Sequence, residues 1–150
     1  MRTVDNVFEE AVISKTYAVD TAKKRLSLIK KSKAMLKTVV QRLLDIVGDD
    51  GHVAVETDLF DKKPRLYISM SRLDSFKDKR LTNVLHLLDD YCPEQDVKEY
   101  AEYVNRDYTF KSDKFEAVVL AYVKSDSEMC RRIVVGTETI QREKFEIICD

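Results

Sequence analysis

The sequence predicts an α+β fold, and three observations support this prediction. The N-terminal third carries apolar residues at three- and four-residue spacing, which indicates one long amphipathic helix. Two short segments after it alternate apolar and polar residues, as strands do. Helical and strand-like patterns then follow in blocks, an order that favours helices on one face of a single antiparallel sheet.

The long N-terminal helix is the most strongly supported element. Over residues 8–47 the apolar positions recur in steps of three or four, and only Lys15 and Lys33 interrupt the apolar character. A second apolar row widens this face to about half of the circumference, which favours a helix that packs on a core over residues 20–48. Gly48 is expected to end the helix.

The length of this helix argues against a single unbroken helix over residues 4–47. Residues 4–47 would form a helix about 66 Å long, whereas a compact domain of 150 residues is about 38 Å across. We therefore expect a break near Ser14 to Thr16 or a new helix capped by Asp20, with residues 1–19 forming an N-terminal arm or helix. The alternative is an unbroken helix whose end is covered by another chain.

Residues 49–150 are expected to form an acidic α+β body. Alternating residues at 52–58 and 66–70 predict a β-hairpin. One helix should follow Ser75, and a second should start at Pro93. The last part is expected to add an antiparallel strand pair or meander at residues 115–123, 131–135 and 145–148.

Composition and charge set the broad class. Three Gly and two Pro leave no linker, so residues 1–150 are treated as a single domain. No signal-peptide or membrane-spanning run is found, and three widely separated cysteines indicate free thiols, so we expect a cytoplasmic protein. Residues 1–42 carry ten Lys and Arg against four Asp and Glu, whereas residues 43–150 carry sixteen against twenty-three. A basic arm therefore precedes an acidic body.

No catalytic or cofactor motif stands out, so an enzyme is the least favoured class. His52 and Glu56 share a predicted strand face that suits acid–base chemistry. The other enzymatic hypothesis is a metal-dependent nuclease site with the residues Glu56, Asp58, Asp61 and Lys63. A chain with 27 acidic residues forms such clusters by chance, so we expect no cofactor and no metal.

The basic side of the helix is the clearest predicted surface. Between Lys15 and Arg42 there are nine Lys or Arg and one acid, Asp20. A solvated helix face usually mixes both signs, because Glu–Lys pairs stabilise it. This face is therefore predicted to bind nucleic-acid phosphates or an acidic protein surface, with plain solvation as the alternative. Its candidate residues are Lys23, Lys24, Lys30, Lys31, Lys37 and Arg42.

The apolar side predicts contact with a protein. The candidate interface residues are Phe8, Val12, Val19, Leu26, Leu36 and Tyr103. The favoured hypothesis is a non-enzymatic interaction or assembly protein that self-associates or docks on a protein partner through its N-terminal helix. Nucleic-acid binding by the basic face is the first alternative, and a metal-dependent nuclease is the second. No membrane partner is expected.

Overall fold

The structure is a computed structural model that describes residues 3–58, 60, 62–100, 104–124, 130–137 and 143–150. This part of the chain forms an α+β fold with two α-helices and seven strands. The helices are α1 (Val4–Val47) and α2 (Lys79–Asp89). The strands are β1 (Gly51–Thr57), β2 (Pro64–Leu73), β3 (Glu94–Tyr100), β4 (Asn105–Lys111), β5 (Glu116–Val123), β6 (Cys130–Thr137) and β7 (Glu143–Cys149).

Helix α1 is continuous, so the predicted break near Ser14 to Thr16 or at Asp20 is wrong. Its 44 residues give a length of about 66 Å. No Gly or Pro interrupts them, and the Thr16 hydroxyl donates to the Val12 carbonyl at 2.9 Å, within the helix. The expectation of a break assumed that the helix had to fit within a compact domain, whereas its N-terminal half projects beyond the body.

Both ends of α1 are defined by local chemistry. Thr3 Oγ1 accepts a hydrogen bond from Asn6 N at 3.2 Å, and Asn6 Oδ1 accepts one from Thr3 N at 3.1 Å, which makes a reciprocal N-terminal cap. At the other end Gly48 adopts a φ of 62°, a conformation that favours glycine, and its N–H donates to the Leu44 carbonyl. The prediction that Gly48 ends the helix is confirmed.

The strands form two sheets rather than the single antiparallel sheet that was predicted. A five-stranded sheet has the order β1-β2-β5-β4-β3, and β6 pairs with β7 in a separate two-stranded sheet. The predicted hairpin is confirmed as β1 and β2. β2 and β5 run parallel. The chain between them forms α2 and the β3–β4 hairpin, which together provide the long crossover that parallel neighbours require.

Two predicted helices need correction. The segment after Pro93 forms strand β3 at the sheet edge, where Val97 pairs with Tyr108 of β4. The helix expected after Ser75 starts at Lys79 and is capped by Asp78, whose carboxylate accepts from Arg80 N at 2.9 Å.

The core lies between one face of the large sheet and the two helices. α1 contacts β1, β2 and α2, and α2 contacts β5. Along β2 every second side chain from Leu66 to Met70 is buried. The helical residues in the same core are Leu36, Val39, Leu43 and Val47 of α1 with Leu81, Val84, Leu87 and Leu88 of α2. The body thus binds only the C-terminal half of α1.

The cysteines differ partly from expectation. Cys92 is a free, buried thiol, as expected, and burial raises its pKa. Cys149 is disulfide-bonded, so the expectation of free thiols is wrong for it. In the register of β6 and β7, Cys149 lies directly opposite Cys130.

Candidate interaction surface on the N-terminal helix

The N-terminal half of α1 extends into solvent. Residues 3–27 are exposed, except for Thr21, which is partly buried. Arg25 and Ile29 of α1 line a cavity against the body, together with Val55 of β1. We call residues 4–24 the projecting half, and at 1.5 Å per residue it is about 31 Å long.

The projecting half carries large apolar side chains that its own body does not cover. Phe8 is 69% exposed, Val12 is 65% exposed and Leu26, just beyond this half, is 52% exposed. Exposed apolar surface on this scale is characteristic of contact sites between proteins. We call one row that bears them the projecting stripe, and its members are Phe8, Val12, Lys15, Val19, Ala22 and Leu26. Ile13 and Tyr17, which are 62% and 74% exposed, lie on the opposite side of the helix.

The projecting stripe and the core-facing residues of α1 also point in different directions. Residues that repeat every seven positions rotate by about 20° per heptad on a straight α-helix. Phe8 and Leu43 lie on one such row, five heptads apart, and therefore point about 100° apart. Leu43 faces the core at 0% exposure. A sequence pattern that looks like a single face is therefore two faces in the folded chain.

A shallow apolar groove continues the projecting stripe along the body. It lies between α1 and β1, an edge strand of the large sheet, and its volume is about 360 Å³. Its floor contains Ile29, Leu36, Val40 and Leu44 of α1 with Val55 of β1. Its rim contains Lys30, Lys33 and Lys37. We call this the α1–β1 groove, and it suits an apolar segment flanked by acidic side chains.

Charge is sorted along α1. Residues 4–20 contain four acids and one base, Lys15, whereas residues 21–42 contain eight bases and no acid. The acids are Asp5, Glu9, Glu10 and Asp20. The helix is therefore acidic where it projects and basic where it passes the body.

The six predicted basic residues are all exposed and form two rows. Lys23, Lys30 and Lys37 lie beside the projecting stripe and the groove rim. Lys24, Lys31 and Arg42 lie about 100° further round the helix. A partner on the stripe would cover the first row and leave the second accessible.

The predicted interface residues divide into three groups. Phe8, Val12, Val19 and Leu26 are exposed on α1. Leu36 is 2% exposed and packs in the core, so only its edge reaches the α1–β1 groove. Tyr103 lies outside the described residues. The sequence pattern gave no indication of the groove, since its β1 wall depends on tertiary packing.

Of the residues in the enzymatic hypotheses that the structure describes, Glu56 and Asp58 line one cavity, beside Arg25 and Arg65. His52 and Glu56 are exposed side chains on β1. Asp58 is buried, and its Oδ1 accepts from the backbone N–H groups of Lys62 and Lys63 at 2.7 and 3.0 Å, so this carboxylate orders a turn. The Lys63 ammonium donates to the Ser112 carbonyl. Asp61 falls outside the described residues.

Metal sites, membrane-spanning helices and similarity to known proteins are three further indications of function. Among the described residues, no group of three or more His, Cys, Asp or Glu is arranged to hold a metal ion. None of the helices in the described ranges is long and apolar enough to span a membrane. When the chain is compared with models of protein families, with curated proteins and with solved structures, nothing matches it.

Proposed function

We propose that this chain is a non-enzymatic interaction or assembly protein that binds a protein partner, a further copy of itself included, through the projecting half of α1. The observation that carries the proposal is the projecting stripe, where large apolar side chains point into solvent along an unbroken helix. Helices in proteins are stabilised chiefly by packing of an apolar face. A partner that covers this stripe supplies packing that the chain's own body does not.

The chemistry of the stripe favours a helical, apolar counterpart. Its three- and four-residue spacing suits side chains that insert between those of a second helix. Burial of one large apolar side chain contributes about 1.5–3 kcal/mol. The four exposed residues Phe8, Val12, Val19 and Leu26 would together supply roughly 6–12 kcal/mol before the entropic cost of association.

Site-specific photo-crosslinking in the expressing cell tests this proposal. A photoreactive phenylalanine analogue replaces Phe8 in one variant and Tyr17 in the other. Both residues are exposed aromatics, at 69% and 74%, and they lie about 180° apart on the same projecting helix. We expect a discrete protein adduct from the Phe8 position, with its mass identifying either a second copy or another protein.

Equal amounts of crosslinked protein from the Phe8 and Tyr17 positions would mean that the partner does not prefer the projecting stripe to the opposite side of the helix. Absence of any protein adduct at the Phe8 position would contradict the proposal. The Tyr17 position controls for chemical reactivity and exposure, because it differs from Phe8 chiefly in the direction it faces.

Nucleic-acid binding is the second candidate function, and the eight bases between residues 21 and 42 favour it. Such a row neutralises phosphates through contacts that weaken steeply with salt. The variant Lys24→Glu with Lys31→Glu alters the row that faces away from the stripe. If this function holds, retardation of DNA or RNA at low salt should be lost in that variant. No retardation of either polymer by the wild-type chain would exclude this function.

A further inference from the structure

We infer, building on the proposed function, that the partner is a second copy of this chain, bound through an antiparallel pair of α1 helices. The two-fold axis passes near residues 20 and 21. Each projecting half then lies along residues 17–37 of the other copy and enters its α1–β1 groove. Three observations lead to this arrangement: the sorting of charge, the register of the stripe and the position of the groove.

The sorting of charge favours antiparallel helices. In that orientation residues 4–20 of one copy, which hold four acids, lie alongside the basic residues 21–37 of the other. A parallel pair would instead place acids on acids and the row Lys23, Lys30 and Lys37 on itself. Like charges facing each other oppose association, and opposite charges set its orientation.

The spacing of the stripe permits antiparallel registers seven residues apart, in which the numbers of facing residues add to 34, 41 or 48. Of these, the register that adds to 41 brings Phe8 and Val12 to the α1–β1 groove without placing Lys15 on Lys33. The facing pairs are Val19 with Ala22, Lys15 with Leu26, Val12 with Ile29 and Phe8 with Lys33. Both lysines can lay their methylene chains on the apolar neighbour and keep the ammonium in water.

The α1–β1 groove lies where this register requires apolar surface. Val12 and Phe8 of one copy fall opposite Ile29 and Lys33 of the other, which contribute to the floor and the rim of the groove. Glu9 follows Phe8 and falls beside Lys30, another rim residue. An apolar segment bordered by acids is therefore presented to an apolar groove bordered by bases.

Length and shape are compatible with a closed dimer. The overlap runs from residue 4 to residue 37 of each copy, about 51 Å, which exceeds four heptads. The two bodies bind the C-terminal halves of their helices and so lie on opposite sides of the two-fold axis. The same surface serves both copies, as a two-fold interface requires.

Disulfide trapping tests the register. Purified Val12→Cys and Ile29→Cys chains are mixed and oxidised gently, and we expect the mixed disulfide as the main product. The control mixes Tyr17→Cys with Lys24→Cys, whose numbers also add to 41 but whose side chains face outward. A Val12→Cys homodimer, or a mixed product no more abundant than in the control, would overturn the inference.

A charge-exchange cycle tests the orientation independently. Glu9→Lys and Lys30→Glu each place two like-charged pairs in the symmetric dimer, so each should weaken association about tenfold. The double variant should restore the wild-type dissociation constant. Lys31→Glu is the matched control, since it changes the same charge on the adjacent, outward residue. The antiparallel pair would be contradicted if the single substitutions left the dissociation constant unchanged. It would also be contradicted if the double variant associated more weakly than either single variant.

These results are separable from the proposed function. A chain that remains monomeric in all of these tests, yet gives a stripe-specific adduct with a different protein, would overturn the dimer and leave the interaction function standing. A chain with neither property would remove both.

Discussion

Leu43 and Phe8 occupy one row of α1, yet Leu43 is fully buried in the core and Phe8 is 69% exposed. The row rotates by about 20° per heptad on a straight helix, so five heptads turn it away from the body. A body attached to the C-terminal half cannot cover the N-terminal half. The interaction function and the antiparallel dimer both depend on this overhang of α1 beyond the body.

The first prediction contrasts these two positions. Leu43→Ala should lower the free energy of unfolding by about 2–5 kcal/mol, because it leaves a cavity in a packed core. Phe8→Ala should change the stability of the isolated chain by less than about 0.5 kcal/mol, because the side chain is exposed there. Urea denaturation at a concentration below the dissociation constant measures both.

For self-association the order of the two effects should reverse, so that Phe8→Ala is more damaging than Leu43→Ala. Phe8→Ala should raise the dissociation constant at least tenfold, since the residue enters the symmetric interface twice and its burial is worth about 1.5–3 kcal/mol each time. A dissociation constant unchanged by Phe8→Ala would exclude the stripe as the interface.

The second prediction concerns the order of the projecting half. A solvated helix of this length is marginal in water, so amides of residues 4–24 should exchange rapidly with solvent in the dilute monomer. Association packs the stripe and should slow that exchange in parallel with dimer formation. Hydrogen exchange read by mass spectrometry at several concentrations measures this. Protection that does not vary with concentration would argue that nothing covers the projecting half.

The third prediction concerns the cap of α2. Burial acts to raise the pKa of Asp78, but hydrogen bonds from the Arg80 side chain and N–H, with the charge of Arg80, outweigh it and hold this pKa below the usual range. The ionised carboxylate therefore stabilises the fold above its unfolded pKa, and this contribution is lost as pH falls through the folded value.

Asp78→Ala should lower the free energy of unfolding by about 1 kcal/mol at neutral pH. The difference from wild type should shrink as the carboxylate titrates in acid. Asp78→Asn serves as the control, because it keeps a capping oxygen without the charge. A gap between wild type and Asp78→Ala that stays constant from pH 7 to pH 2 would contradict the role of ionised Asp78.

The fourth prediction compares two ion pairs. Arg65 and Glu116 are directly paired residues of β2 and β5, with 17% and 12% of their side chains exposed and 2.6 Å between Nη2 and Oε2. Glu116→Ala leaves a half-buried guanidinium without this acceptor, so it should cost about 1–3 kcal/mol. Asp50→Ala, at the exposed pair with Arg80, should cost less than about 1 kcal/mol. Equal losses in thermal or urea unfolding would contradict this difference.

Much of the fold could be predicted because its signals are local. The three- and four-residue spacing identified α1, Gly48 marked its end, and alternation identified the β1–β2 hairpin. The elements that were mispredicted or missed depend on distant partners. β3 is an exposed edge strand rich in charged residues, which protects an edge from aggregation but removes the alternation that marks a strand.

The candidate surface was only partly predictable for a similar reason. The exposed lysines and Phe8 follow from the helix pattern alone. Whether Leu36 is buried or exposed, by contrast, depends on which part of α1 packs against the body. The parallel pairing of β2 with β5, and the groove beside the edge strand β1, arise from contacts between residues far apart in sequence.

The central claim, that the projecting halves of two chains cover each other, is tested most directly by the mass of the purified protein in solution. Sedimentation equilibrium over a range of concentrations, at low and moderate salt, should give twice the chain mass of 17.4 kDa, with Phe8→Asp shifting the equilibrium to the single mass. A wild-type chain that stays at 17.4 kDa at every concentration would contradict the dimer.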